Sequence, residues 1–236
     1  MCGRYASTRS ATDLAALFDA DDDTGDDRLP PDYNIAPTDP VHVVRVSSTR
    51  GRVVSVARWG LVPFGDGPPS GKMINARVET VADSRAFSLA YRRRRCLVPA
   101  DGWYEWLRDG AEPPTGSLRR PPRGRKQPYF MTPRDGGLLA FAGLWARRGD
   151  LVTCTVLTAP AAGELARVHD RMPLVLPPTR WPDWLSGTGD LTPAPADYLE
   201  SLELRPVGPA VGDVRNDGPA LIEALPAVEP VDLTLF

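Results

Sequence analysis

Two β-branched runs, Val41–Val46 and Val53–Ala57, are joined by Ser47-Ser48-Thr49-Arg50-Gly51. That spacing predicts a β-hairpin, and a hairpin commits its neighbours to a sheet. More segments of the same kind follow: Cys96–Val98, Trp103–Leu107, Tyr129–Met131, Leu138–Trp145 and Leu151–Thr158 read as successive strands. Helical signals are shorter. Ser10 followed by Asp13, with Leu14, Leu17 and Phe18 behind it, predicts a capped amphipathic helix. Glu79–Tyr91 predicts a helix with Phe87 and Tyr91 on one face, and Pro160–Val168 one with proline in its first turn. Thr179–Leu185 and Ala194–Leu202 suit two more. Asp19–Asp27 reads as a solvated acidic loop, Asp66–Gly71 as a turn-rich loop, and Ala111–Gln127, rich in Pro, Gly and Arg, as a disordered insertion. With no internal repeat and no clear linker, the pattern is that of one α+β domain.

The 236 residues can bury a sizeable core, and 42% hydrophobic with 25% charged residues is the balance of a soluble globular chain. No apolar run reaches the roughly 18 residues of a membrane span, and Met1–Tyr5 has no apolar stretch like a secretory signal. The expectation is a cytoplasmic protein. Cys2, Cys96 and Cys154 form no CxxC pair and read as free thiols in a reducing compartment. Two histidines, His42 and His169, are too few for a convincing zinc site, so the chemistry is expected to need neither metal nor cofactor. Gly71-Lys72 lies in a glycine-containing loop, but Asp66 and Met73 stand where a P-loop needs Gly and Ser or Thr. The net charge of −2 argues against bulk attraction to nucleic acid. Yet Arg92–Arg95 and Arg119–Lys126 are basic against the acidic Asp19–Asp27, which allows a basic groove in an acidic whole.

Cys2 is the most informative single residue. Once Met1 is removed, an α-amine and a thiol stand on adjacent carbons, with ordinary pKa values of about 7.7–8.0 and about 8.5. A 1,2-aminothiol condenses with an aldehyde to an imine and closes through sulfur to a thiazolidine, an intramolecular step of high effective concentration. Against this stands the bland alternative that Cys2 is merely a small second residue permitting methionine removal. Glu105 lies among aromatics in Gly102-Trp103-Tyr104-Glu105-Trp106. Facing inward it is a desolvated proton carrier; facing outward it is only a solvated carboxylate. His169, in Val168-His169-Asp170-Arg171, is either an acid–base group or a structural hydrogen-bonder, and His42, inside a strand, reads as structural. Asn75-Ala76-Arg77 is a polar insertion after Met73-Ile74. Arg4, Arg77, Arg85 and Arg171 suit either phosphates or surface ion pairs.

Taken together, these segments resemble the SOS-response-associated peptidase family of abasic-site processing proteins. The matching stretches are Met1-Cys2-Gly3-Arg4-Tyr5, Tyr33-Asn34-Ile35-Ala36-Pro37, Trp59-Gly60-Leu61-Val62-Pro63 and Ile74-Asn75-Ala76-Arg77-Val78-Glu79-Thr80. Arg95–Trp106, Phe141–Trp145, Thr158–Ala161, His169–Leu176 and Val211-Gly212-Asp213 continue the series in order, from residue 2 to about 222.

The resemblance implies a single domain over residues 1–222, with barrel-like packed sheets and peripheral helices around a positively charged DNA channel, and a tail over 223–236. It implies that Cys2, exposed by loss of Met1, crosslinks abasic sites in single-stranded DNA, with single–double junctions as a further target. Asn75 would position the terminus, Glu105 would move protons, and His169 would assist opening of the sugar. Arg4, Arg77, Arg85 and Arg171 would hold phosphates, with Asn34, Pro37 and Thr158 lining the channel. Phe64 is the single aromatic in a loop where relatives carry several, which points to weaker base stacking. The protein is expected to act as a nucleoid-associated monomer without a membrane partner, with weak lyase activity from the same imine. Two other readings stay open: a cysteine peptidase using Cys2, His169 and Glu105 or Asn75, which would release its own Met1, and a purely non-covalent nucleic-acid binder.

Overall fold

The computed structural model describes residues 2–63, 73–107 and 126–226. Thirteen strands dominate it: β1 (Tyr5–Ser7), β2 (Asp21–Asp22), β3 (Asp32–Ile35), β4 (Pro40–Ser47), β5 (Gly51–Trp59), β6 (Asn75–Arg77) and β7 (Arg95–Ala100), then β8 (Gly102–Trp106), β9 (Pro128–Pro133), β10 (Leu139–Arg148), β11 (Leu151–Pro160), β12 (Arg171–Pro173) and β13 (Leu202–Pro206). Five short helices, α1 (Ala11–Phe18), α2 (Ser88–Arg93), α3 (Leu165–Val168), α4 (Trp181–Ser186) and α5 (Ala196–Glu200), lie around them. The fold is α+β with a sheet-dominated core, as the strand signals predict.

One sheet runs β13-β9-β8-β1-β3. In the other, β11, β10, β7, β4 and β5 pair in turn, and β5 meets β11 again through Arg58↔Thr153 and Trp59↔Cys154, so the ring of pairings closes. Strand alternation sorts the side chains. Val43, Cys96, Val98, Phe141 and Val156 join Tyr5, Trp103 and Met131 of the first sheet in one cluster. Their neighbours Val44, Leu97, Ala142, Leu144 and Leu157 turn the other way, onto Leu14 and Phe18 of α1 and Trp181 and Trp184 of α4. The chain passes between sheets at Asp101, whose carboxylate accepts from the Thr8 N–H at 2.6 Å. The next residue must be glycine: a Cβ on Gly102 would lie 2.4 Å from the Met131 carbonyl oxygen and 2.5 Å from the Phe130 ring.

The hairpin forms as expected, with Ser47↔Gly51 closing its register. Ser10 caps α1, its hydroxyl accepting from the Asp13 N–H at 3.1 Å. Other expectations are corrected. Within Asp19–Asp27, β2 pairs with β5, Asp23 binds Arg45 and Arg50, and Thr24 is buried. The stretch is solvated as expected at Asp19, Asp21, Asp22, Asp26 and Asp27, but it is anchored rather than a plain loop, with Asp23 held by two arginines. The helix expected within Glu79–Tyr91 is found at its end, as Ser88–Arg93, running two residues past Tyr91 with turns before it. Pro160 ends a strand, and the helix after it is confined to Leu165–Val168. Leu202 opens β13 instead of closing a helix. Of the insertion at 111–127 only Lys126 and Gln127 are described; Lys126 is exposed and Gln127 buried, its amide donating to the Pro128 and Val207 carbonyls at 2.8 Å each. Phe64, Asp66–Gly71 and the rest of the insertion lie outside the described residues. Beyond 222 the chain still pairs, the Leu225 N–H donating to the Pro206 carbonyl. Among the described residues no helix is long and apolar enough to cross a membrane.

Candidate functional site

Cys2 leads into β1, the strand flanked by β8 and β3, and is fully buried. Burial pushes its thiol well above the ordinary range. The Glu105 carboxylate adds to the rise, and a hydrogen bond from the Arg4 backbone N–H opposes it. The thiol therefore rests protonated. Glu105 itself is buried: Trp103 and Glu105 share one face of β8, and Trp103 packs in the cluster that holds Cys2. The strand's alternation, which left two orientations open, resolves inward.

Asn75 comes from β6, which pairs in parallel with β11 through Val156↔Asn75 and Thr158↔Arg77. Its Nδ2 donates to the Cys2 carbonyl at 2.6 Å. Its Oδ1 is buried with no hydrogen-bond partner among the described residues, as is Nε1 of Trp103. Buried polar groups left so are uncommon and mark places where a polar ligand fits.

On its other side β11 pairs with β12, Thr158 facing Pro173. One strand thus gathers Asn75, Arg77, Thr158, Arg171 and, two residues before Arg171, His169. The Arg171 backbone N–H donates to His169 Nδ1 at 3.0 Å, which places the proton of the neutral ring on Nε2. Asp170 Oδ1 lies 3.0 Å from the same Nδ1. That contact becomes attractive once Nδ1 carries a proton. Arg171 thus holds the ring with its proton on Nε2, and Asp170 holds it when Nδ1 is protonated.

The Arg171 side chain is engaged on both terminal nitrogens. It forms a two-pronged pair with Glu79, at 2.5 and 3.0 Å, and donates to the Thr158 carbonyl. Arg171 in turn holds the Glu79 carboxyl below its usual range. Glu79 received no role in the sequence reading, and a pair 92 residues apart leaves no local signal for one. Thr158 is fully buried, so what it presents outward is the arginine it anchors.

Arg4 and Asn34 form a separate group. Arg4 donates to Asn34 Oδ1 at 2.6 Å and to the Val211 carbonyl at 2.8 Å, while the Asn34 amide donates to the Asp213 and Asn216 carbonyls. Both hold the 209–216 segment against β3, and Asn34 is buried. Pro37 is half-buried in the Ala36–Asp39 turn, which is pinned by Ala36 N–H to Asp39 Oδ2 at 2.9 Å and Thr38 N–H to the Trp59 carbonyl at 2.8 Å. Those bonds hold Thr38 at φ +83°, a conformation that costs a β-branched residue about 1–3 kcal/mol. The side chains of Arg77 and Arg85 are exposed and make no hydrogen bond among the described residues. Cys96 and Cys154 are free and buried, the Cys154 thiol pushed up to about 12 by desolvation. Among the described residues no group of three His, Cys, Asp or Glu side chains converges as a metal site.

Comparison with known proteins gives a consistent set of matches. The family model described as SOS response associated peptidase (SRAP) matches residues 1–214. The abasic site processing protein YoqW of Bacillus subtilis is 30% identical over 240 residues, covering 95% of this chain and all of the relative. Its namesake YedK of Escherichia coli is 33% identical over 238 residues, covering 94% and 99%. A crystal structure of a protein from Bacteroides thetaiotaomicron superposes with a TM-score of 0.76 at 20% identity, over 95% of this chain and all of that one.

Proposed function

This chain belongs to the SOS response associated peptidase family, and we propose that it captures abasic sites in single-stranded DNA covalently, through the amine and thiol of Cys2 freed by loss of Met1. The observation that carries the reading is the setting of Cys2: a buried residue held at its carbonyl by Asn75, beside the unpartnered Asn75 Oδ1 and within the field of Glu105. The names of the relatives, abasic site processing proteins, agree with it.

The chemistry balances without a redox partner. The α-amine adds to the C1′ aldehyde of the ring-opened sugar, and the carbinolamine loses water to give an imine. Sγ then adds to the imine carbon, its proton leaves, and the former imine nitrogen gains one. Ring closure needs an acceptor for the thiol proton, and Glu105 supplies it. Asn75 Oδ1 accepts from an amine N–H and turns the lone pair toward the aldehyde. His169, with its proton on Nε2, donates to the sugar oxygen as the ring opens, and Asp170 steadies the imidazolium when the ring takes a proton. Arg77, Arg85 and Arg171 hold the flanking phosphates, Pro37 borders the path, and Arg4, Asn34 and Thr158 keep its walls in place.

A thiol peptidase fits these groups less well. That reading takes only the thiol of Cys2 and gives the exposed Arg77 and Arg85 side chains no task. The deciding experiment is denaturing gel electrophoresis after mixing the protein with abasic single-stranded DNA. A slow-migrating adduct that survives denaturant is expected; its absence, with Met1 removal confirmed, overturns the proposal.

A further inference from the structure

A cavity lies between the start of β4 and the segment preceding β3, and Cys2 is not among the residues lining it. It has a volume of about 170 Å³, and Ser7, Asp32, Asp39 and His42 are among the residues lining it. Two of its lining residues each carry a buried atom, Ser7 Oγ and His42 Nε2, with no hydrogen-bond partner among the described residues. Their residues are only 9% and 5% exposed, so bulk water does not satisfy them. A buried polar atom without a partner costs about 1–3 kcal/mol, and two on residues lining one cavity mark a place built for an occupant.

The lining says what kind. Both carboxylates line the cavity and no lysine or arginine does so among the described residues. Arg4 lies near enough to Asp39 to feel its charge, but its guanidinium is committed to Asn34 and the Val211 carbonyl. Asp217 adds further negative charge beside Asp32, whose carboxyl is raised by burial first and by that neighbour in addition. Burial also holds the His42 ring below its usual pKa, so it stays neutral and can accept at Nε2. An anion is excluded from such a place. Leu29, Pro30 and Val41 supply an apolar wall.

We propose that this cavity binds a primary alkylammonium group, its three N–H donors meeting Asp32, Asp39 and either Ser7 Oγ or His42 Nε2, with its methylene stem against Leu29, Pro30 and Val41. The inference does not depend on the chemistry proposed at Cys2. A free aliphatic diamine and a lysine side chain on a peptide both present this group.

Calorimetric titration of the whole protein with n-butylammonium chloride tests it. Saturable one-to-one binding is expected, at least tenfold tighter than that of n-butanol, which has the same stem without the charge. Asp32→Asn should weaken the ammonium at least tenfold. Ser7→Ala and His42→Leu should weaken it severalfold, each in a protein that melts as the wild type does. Putrescine and Nα-acetyl-lysine amide distinguish the sources, and tighter binding of either supports the shared chemistry. Equal binding of butanol would reduce the site to an apolar hole, and no saturable binding, with the His42 ring signals unmoved in NMR, would reduce it to a water-filled one. Either result overturns the proposal without recourse to a variant.

Discussion

Asn75 holds the Cys2 carbonyl through Nδ2 at 2.6 Å while its own Oδ1, buried, has no partner among the described residues. One amide thus fixes the nucleophile's backbone and keeps an acceptor in reserve. Replacing it by alanine leaves the Cys2 carbonyl without its donor, a loss of about 1–3 kcal/mol. Asn75→Ala should therefore slow adduct formation by roughly tenfold to a hundredfold. Single-turnover gel kinetics will show the drop, and native-gel affinity for the same DNA should hardly change.

Glu105 should act on rate. A positioned proton carrier contributes about 10²–10⁴-fold, so Glu105→Gln should slow capture within that range and leave non-covalent binding near wild type. His169→Ala should slow it as well. Wild-type kinetics in both variants would make the two residues structural.

The Glu79–Arg171 pair gives a prediction with a sign. Arg171 depresses the Glu79 carboxyl, so whatever stability the pair contributes is complete above the ordinary carboxylate pKa and is lost as pH falls through the depressed one. Glu79 is largely exposed, so the amount is small, about 0–1 kcal/mol. Arg171→Met should return the Glu79 titration to the usual range in carbon-detected NMR. Glu79→Gln should leave thermal stability almost unchanged and still slow capture, because Arg171 loses its seat beside His169.

The side chains of Arg77 and Arg85 are exposed and make no hydrogen bond among the described residues, which leaves them available to phosphates. Each phosphate they neutralise on a single strand should contribute about −0.7 to the slope of log affinity against log salt. Arg77→Ala and Arg85→Ala should each flatten the slope by about that amount. Unchanged slopes, with equal affinity for intact duplex, would remove the channel.

How much of this was legible in the sequence depends on the range of the interaction responsible. The β4–β5 hairpin and the Ser10 cap are local, and both stand as the residues predict. Strands β1, β3, β6, β12 and β13 are three to five residues long and exist through pairing with distant partners, so no window of sequence reveals them. Pro160 fits a helix start and a strand end equally well, and the β12 pairing decides it. At the site, Cys2, Glu105 and His169 were legible as candidates from their chemistry, and Asn75 through the family resemblance alone. The inward turn of Glu105 was not, because alternation fixes only relative direction. The burial of Asn34 and Thr158 and the clamp of Glu79 on Arg171 arise from contacts far apart in the chain.

The central claim, that amine and thiol of Cys2 act in sequence on one aldehyde, is tested most directly by mass spectrometry of protein–DNA products with and without borohydride. Cys2→Ser, with loss of Met1 confirmed, should yield an imine that borohydride traps and little stable adduct otherwise. A form with one uncleavable residue ahead of Cys2 keeps the thiol but lacks the amine, and should yield neither product. The wild type should give a stable adduct without reductant, its mass that of protein plus DNA less one water. Stable adduct from the amine-blocked form, or no trappable imine from Cys2→Ser, would contradict the account.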